Sequence, residues 1–349
     1  MKWWIKTGML MGIGVMVSVF IGCKGDKGPQ GPAGGTQCFD CHTDNFAMED
    51  YLLPIETQFA VSLHATGDTY LRTASPCAGC HTTEGYQTYA ATGTAPAAEL
   101  PQSSHIGCFA CHAPHTNQDF SLRKIGATTL AVGGGSYDKG PSNTCAMCHQ
   151  LRVPSPYFTP DSMTSSRFGG HHGPQANVLS GQGLYVFTGG TAYPAGARHN
   201  TAIPKGCVNC HMATLPSGAL AGGHTFAITY GEPERLNSKG CTCHPSMTDA
   251  AALTFVDDAK TKFEVGLVDT LGAKLFALGL LKRNTDGSYS VNDKRRTSAN
   301  GLRVIWTADE IGAVFNFGAL LEDRSGGIHN PVYARAVLNA TLNYANSHP

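Results

Sequence analysis

Charge is scarce in this chain. Lys, Arg, Asp and Glu make up 14% of its 349 residues and cancel to a formal net charge of zero. No basic stripe stands out, so the electrostatic footprint of nucleic-acid binding is missing and no nucleic-acid partner is expected. Spanning hydrophobic runs are also lacking: the uncharged apolar stretch from Thr7 to Ile21 has fifteen residues, short of the about 20 that cross a bilayer. Between residues 36 and 247 long amphipathic periods are scarce, while Gly, Pro, Ser and Thr are frequent. Such a segment cannot bury enough apolar surface to fold as an ordinary domain, so something other than side chains must fill its interior.

Cysteine, by contrast, is plentiful and patterned. Five copies of Cys-x-x-Cys-His recur: Cys38-Phe-Asp-Cys41-His42, Cys77-Ala-Gly-Cys80-His81, Cys108-Phe-Ala-Cys111-His112, Cys145-Ala-Met-Cys148-His149 and Cys207-Val-Asn-Cys210-His211. This is the attachment pattern of a c-type haem, in which two thiols bond the vinyl groups and the next imidazole becomes the proximal iron ligand. Zinc sites or disulfides would use the paired cysteines but leave a histidine after every second one without a role. A sixth, irregular site is Cys241-Thr-Cys243-His244. It is read as a haem held through Cys243, with Cys241 strained into a second bond or left free; the alternatives are a local disulfide partner or a lost site. The cofactor expectation is therefore haem c, five copies from regular motifs and a sixth from this one.

The N-terminus reads as an export signal. Lys2 and Lys6 precede the apolar stretch, and Phe20-Ile-Gly22-Cys23 resembles a bacterial lipobox with Cys23 as the lipidated residue. An uncleaved anchor is the alternative. Thirteen cysteines less Cys23 leave twelve, six pairs for six sites. Lys24 provides no acidic retention signal, which favours the outer membrane. The period-three stretch Gly25-Asp-Lys-Gly28-Pro-Gln-Gly31-Pro-Ala-Gly34 is too short for a triple helix and reads as an extended tether of about 30 Å. The expected organisation is a signal over 1–22, a lipidated tether over 23–35, a haem-binding region over 36–247 and a helical region over 248–349.

The fold class expected is mainly α with extensive loops, a haem-filled core and a C-terminal antiparallel helical bundle. Phe263, Leu267, Leu271, Leu275 and Leu278 recur at helical spacing. Thr307-Ala-Asp-Glu310 is a capping box opening a second helix, and Asn330-Pro331 opens a third. A small hairpin is expected near Leu184-Tyr-Val-Phe187, and surface loops over 91–104 and 133–143.

Each haem iron keeps one axial position after its motif histidine binds. Six of fifteen histidines are proximal, and nine remain: His64, His105, His115, His171, His172, His199, His224, His329 and His348. That is enough for bis-His ligation throughout, which closes the iron to substrate and leaves electron transfer. The distal candidates are His64, His115, His171 or His172, His199, His224 and His329, with His105 in reserve and His348 read as a surface residue. Met147 and Met212 are read as packing residues.

Together these segments resemble the multihaem cytochrome c superfamily that includes ammonia-forming nitrite reductase and the octahaem reductases and oxidases. The likeness rests on His171-His-Gly-Pro-Gln175, Cys207-Val-Asn-Cys-His-Met212, Gly223-His-Thr-Phe226 and Glu322-Asp-Arg-Ser-Gly-Gly-Ile-His-Asn-Pro-Val-Tyr333. It implies that His329 is a distal ligand. The lipoprotein signal makes the chain similar to surface cytochromes of metal-respiring bacteria, which pass electrons between cytochromes or to extracellular acceptors. Partners implied are other multihaem cytochromes, the membrane through Cys23, and further copies in an oligomer or filament. The superfamily's nitrite reductases carry a Cys-x-x-Cys-Lys haem, which does not occur here. A reductase acting on nitrite, hydroxylamine or a sulfur oxyanion is therefore the alternative to an electron carrier, with the Cys243-His244 site as its place.

Overall fold

The computed structural model describes residues 46–117, 119–196, 198–214, 221–296 and 300–348. The export signal, Cys23, the tether and the first motif (Cys38, Cys41 and His42) lie outside the described residues.

One long helix and a series of shorter ones, separated by loops, carry the described residues before 249. In chain order they are α1 (Phe46–Ala60), α2 (Leu63–Thr66), α3 (Ala78–His81), α4 (Thr83–Thr92), α5 (Cys108–Cys111), α6 (Pro114–Asn117), α7 (Asn143–Cys148), α8 (Gln175–Ser180), α9 (Arg198–Ala202) and α10 (Cys207–His211). Four of these, α3, α5, α7 and α10, coincide with Cys-x-x-Cys-His motifs. Their shortness has local causes. Thr82 ends α3 and caps α4, its hydroxyl accepting from Gly85 N at 2.9 Å. Ser62 caps α2 by accepting from Ala65 N.

Three longer helices follow. The helical path over residues 249–277 is α11 (Asp249–Glu264), a π-helical stretch (Val265–Gly272) and α12 (Ala273–Ala277). Thr248 caps it, accepting from Ala251 N. The helix thus begins well before the apolar repeat that announces it, because its first turns are rich in Ala and charge and bury only Ala252. The π stretch has a pattern behind it. Leu267, Leu271 and Leu275 repeat every four residues and are all buried; an α-helix at 3.6 residues per turn rotates such a row off the core, whereas a wider turn keeps it facing inward. The helix α13 (Ala308–Glu322) starts with the expected capping box, Thr307 accepting from Glu310 N and Glu310 from Thr307 N. Asn330 caps α14 (Pro331–Ser347). These helices pack on one another around Leu267, Leu271, Ile311, Phe315, Tyr333 and Val337. No helix among the described residues is long and apolar enough to cross a membrane.

Strands are confined to antiparallel pairs of two or three residues: β1 (Thr128–Thr129) with β2 (Ser136–Tyr137), β3 (Asp161–Ser162) with β8 (Ile305–Trp306), β4 (Thr229–Tyr230) with β5 (Arg235–Leu236), and β6 (Leu281–Arg283) with β7 (Tyr289–Val291). The hairpin expected near Leu184–Phe187 is absent. Its backbone bonds instead to helix side chains: Leu184 N donates to Tyr333 Oη at 3.0 Å and Tyr185 N to Asn316 Oδ1 at 2.8 Å, while Asn316 Nδ2 returns a bond to Tyr185 O. The stretch 133–143, expected as loop only, contributes β2, and the 91–104 stretch is irregular after the end of α4.

Candidate functional site

Each described motif sets its thiols one helical turn apart with the imidazole at the helix end. None of the ten described cysteines forms a disulfide. The thiols of different motifs approach each other instead. Cys80 and Cys148 are hydrogen-bonded; the bond from Cys148 and the nearby Arg152 guanidinium hold the Cys80 thiol down at about 7, while Cys148 is pushed up by the same pairing and by burial. Arg152 Nη2 stands 2.7 Å from Cys80 Sγ. Cys145 and Cys207 form a second such pair; Cys207 is lowered by that bond and by Tyr137, whose hydroxyl lies 3.3 Å from its sulfur. Cys210 Sγ lies 4.0 Å from Gly240 O, so that motif adjoins the irregular one. The motif on α7 therefore sits between those on α3 and α10.

The histidines pair across long sequence distances. His149 faces His64 with ring centres 6.3 Å apart, His81 faces His171 at 6.3 Å, His112 faces His224 at 6.2 Å, and His211 faces His329 at 6.4 Å. Each pair joins one motif imidazole to one from elsewhere. Two imidazoles on opposite faces of one iron, with metal–nitrogen bonds of about 2.0 Å and about 1.1 Å from nitrogen to ring centre, stand about 6.2 Å apart. The interplanar angles range from 38° to 87°, and rotation about the ligand axis changes them without changing the separation.

Second partners orient these rings. His112 Nδ1 bonds Phe120 O at 2.5 Å, His211 Nδ1 bonds Phe226 O at 2.9 Å, His149 Nδ1 meets Gln175 Oε1 at 3.2 Å, and His329 Nδ1 meets Asp323 Oδ1 at 2.8 Å. A partner on Nδ1 leaves Nε2 as the ligating nitrogen. The His224 backbone N–H donates to Gln58 Oε1 of α1 at 2.9 Å, and Gly222, at φ +68°, lets the chain turn into that loop where a Cβ would meet Ala213 O at 1.8 Å. Charge states favour ligation as well. His81 is held at about 4 by burial, with Arg72, His171 and Arg152 adding to it. The protein packed around His64 pushes it to about 4, although part of its surface stays accessible, and His149 adds to the effect. Burial also lowers His171, His211 and His224. Neutral imidazoles keep a lone pair for metal. Burial opposes charge on His329 too, but Asp323 outweighs it and raises that histidine.

The donor set and its surroundings fit haem. No three His, Cys, Asp or Glu side chains converge on a metal-sized space among the described residues, so the imidazoles come in twos and not in the fours that structural zinc takes. Large apolar side chains lie exposed beside the ligands: Leu63 at 87%, next to His64, Leu71 at 70%, and Phe109 at 50%, inside its motif. A flat macrocycle lying between paired rings would cover such surface.

Other predicted residues stand apart from these pairs. His115 lies against Phe109 of its own segment, ring centres 6.2 Å apart. His172 adjoins His171 and forms an ion pair with Glu322 at 2.9 Å. His199 bonds Ile328 O through Nδ1 at 2.7 Å. His105 stacks on Tyr70 at 4.0 Å with its buried Nδ1 unpartnered. His244 is exposed, its backbone N–H bonded to Cys241 O, and no imidazole faces it among the described residues. Met147 packs with Tyr86 and Ala110. Sequence reasoning passed over Phe226, Asp323 and Arg152. Phe226 lies 5.0 Å from His64 and 6.0 Å from His224 while its carbonyl holds His211. It stands within a glycine-rich histidine motif, and Asp323 lies six residues before His329; those positions were the available signals.

The fold resembles that of a known cytochrome. No family model and no curated protein matches the chain, but the crystal structure of the outer cell wall cytochrome OcwA is similar to it, with a TM-score of 0.52 at 18% identity. The match covers 83% of this chain and 50% of that one, so this chain spans about half the length of that cytochrome.

Proposed function

We propose that the chain is a multihaem c-type cytochrome that carries electrons at the cell envelope. The observation that carries this reading is the set of four imidazole pairs at 6.2 to 6.4 Å. In it, Cys77, Cys80, Cys108, Cys111, Cys145, Cys148, Cys207 and Cys210 attach four haems, with His81, His112, His149 and His211 as proximal and His171, His224, His64 and His329 as distal ligands. Cys38, Cys41 and His42 attach a fifth, and Cys243 with His244 a sixth. When bound, haem supplies one-electron chemistry at iron. The protein's part is to fix the imidazoles, exclude water from both faces and bring the motifs together. The thiol contacts from α3 to α7 to α10 put neighbouring sites within reach for stepwise transfer.

Axial closure by histidine keeps potentials low relative to His/Met ligation, which suits anaerobic respiration. Export, lipid attachment at Cys23 and an outer-membrane position complete the reading, with redox proteins as donor and acceptor and the helices of 248–349 closing one side of the array. The exposed His244 supports a second reading, a reductase for nitrite, hydroxylamine or a sulfur oxyanion at that site. Intact mass and EPR of the oxidised holoprotein test both. Six haems, all low-spin, establish the carrier. A high-spin signal that shifts on adding nitrite or hydroxylamine favours the reductase, and fewer than four low-spin haems refutes the axial pairing.

A further inference from the structure

The four paired sites differ in the charge placed against them. At His211/His329 the Asp323 carboxylate, with 2% of its side chain exposed, bonds His329 Nδ1 at 2.8 Å and also accepts from the Ser325 hydroxyl. A carboxylate on the outer nitrogen makes an imidazole a stronger donor and stabilises the more positive, oxidised metal. Its burial keeps solvent from screening that charge. At His149/His64 and His112/His224 the Nδ1 partners are neutral, Gln175 and the Phe120 carbonyl.

The reverse holds at His81/His171. Arg152 Nη2 stands 2.7 Å from Cys80 Sγ, the residue before His81, and its charge reaches both imidazoles. Arg152 is half-buried, and among the described residues it forms no ion pair with a carboxylate. The acid nearest in effect, Glu322, is engaged by His172 and Arg324. Uncompensated positive charge favours the reduced, less positive iron. The two contrasting sites are joined through α7: Val208 N of α10 donates to Ser142 Oγ at the start of α7 at 3.0 Å, and α7 packs on α3.

We propose that Asp323 and Arg152 are positioning residues that polarise the array, making His211/His329 the lowest-potential and His81/His171 the highest-potential of the four paired sites. This rests on the axial-pair reading above. One electron moves with no atom or proton transferred. The His211/His329 site is oxidised as the His149/His64 site is reduced, and that site is reoxidised as His81/His171 is reduced. One-electron redox proteins supply and remove the electron at the two ends.

The test is a spectroelectrochemical titration of the intact holoprotein, with EPR samples drawn along it. In Asp323→Asn the lowest-potential component shifts to a more positive midpoint while all paired haems stay low-spin. Ser325→Ala, which removes a hydrogen bond from the carboxylate and leaves its charge, shifts the same component the opposite way and serves should the first variant not fold. Arg152→Gln lowers the midpoint of the highest-potential component. Unchanged midpoints in low-spin variants, or a shift in a different component, overturn the polarity and leave the axial pairs standing. High-spin haem at these sites in the unmodified protein removes the pairs themselves, and the polarity with them.

Discussion

Asn330 joins three parts of the molecule, and replacing it with alanine should be among the most costly single changes outside the ligands. Its side chain is fully buried. Oδ1 accepts from Tyr333 N at 3.2 Å, capping α14, and Nδ2 donates to Leu179 O and Ala195 O, each at 3.2 Å. Losing the cap costs about 1 kcal/mol. Leaving the Leu179 carbonyl without this donor costs about 1–2 kcal/mol. The Ala195 carbonyl retains Asn200 Nδ2 at 3.4 Å, so its loss adds only about 0.5 kcal/mol. The expected total is about 3 kcal/mol, a large share of a domain stability of about 5–15 kcal/mol. Asn330→Ser should recover the cap, and about 1 kcal/mol with it. Asn330→Asp keeps the cap but aims a negative charge at two carbonyls, so it should cost at least as much as alanine. Guanidinium chloride unfolding of the holoprotein, followed by far-UV circular dichroism at constant m-value, measures all three. An alanine cost below about 1 kcal/mol, or an aspartate milder than alanine, would refute the reasoning. His329 should stay low-spin throughout, since Asp323 holds it independently of the cap.

Three further outcomes follow from named contacts. His64→Ala should convert one haem equivalent from low-spin to high-spin by EPR spin counting, whereas His348→Ala, whose ring bonds the Tyr344 carbonyl at 2.9 Å, should convert none; equal spectra for both would remove His64 as a ligand. Gly312→Ala would drive a Cβ to within 1.9 Å of the Tyr185 ring, which Asp309 pins through a 2.8 Å bond, so the unfolding midpoint should fall by an amount worth about 1–3 kcal/mol, and Tyr185→Leu in the same chain should restore part of it. Asp249 accepts from Ser238 and Tyr230; burial opposes its charge, but these bonds win and hold its carboxyl below the usual range. Its contribution is therefore full at neutral pH and lost as pH falls through the lowered value, so the stability gap between wild type and Asp249→Asn should close as pH falls below the ordinary carboxylate range, and a gap independent of pH would contradict the assignment.

Local features were legible because they need no long-range information. The capping box at Thr307, the Asn330-Pro331 helix start and the coincidence of four motifs with helical turns all follow from residues within four positions of each other. Which imidazole faces which did not follow, because a pair such as His64 and His149 is brought together only by the packing of α2 and α7 segments far apart in sequence. The misplaced hairpin at Leu184–Phe187 has the same origin. Aromatic and branched residues suited a strand, but the backbone partners turned out to be Asn316 and Tyr333, more than a hundred residues away.

The distribution of buried carbon leads to one more expectation. The large apolar cluster gathers the helices after residue 249 with a few residues such as Leu151, Met163 and Leu184. Around the motifs the described clusters are small: Leu130, Tyr137, Ala146, Ala176 and Leu179 in one, Tyr86, Ala110 and Met147 in another. Two clusters of five and three buried side chains cannot offset the ordering entropy of nearly two hundred loop-rich residues. In the proposed function, covalently held haems and their axial bonds make up that difference, much as metal binding and folding are one event in small metal domains. A chain produced without its export signal, and so without haem, should then be cut rapidly by protease between residues 62 and 247. The region 249–347 should persist longer, because Ile311, Phe315, Tyr333 and Val337 bury one another without help. Mass spectrometry of a limited digest reads the outcome directly. Uniform resistance along the haem-free chain would show that the motif-bearing half has a core of its own, and the argument for a cofactor-built interior would fail with it.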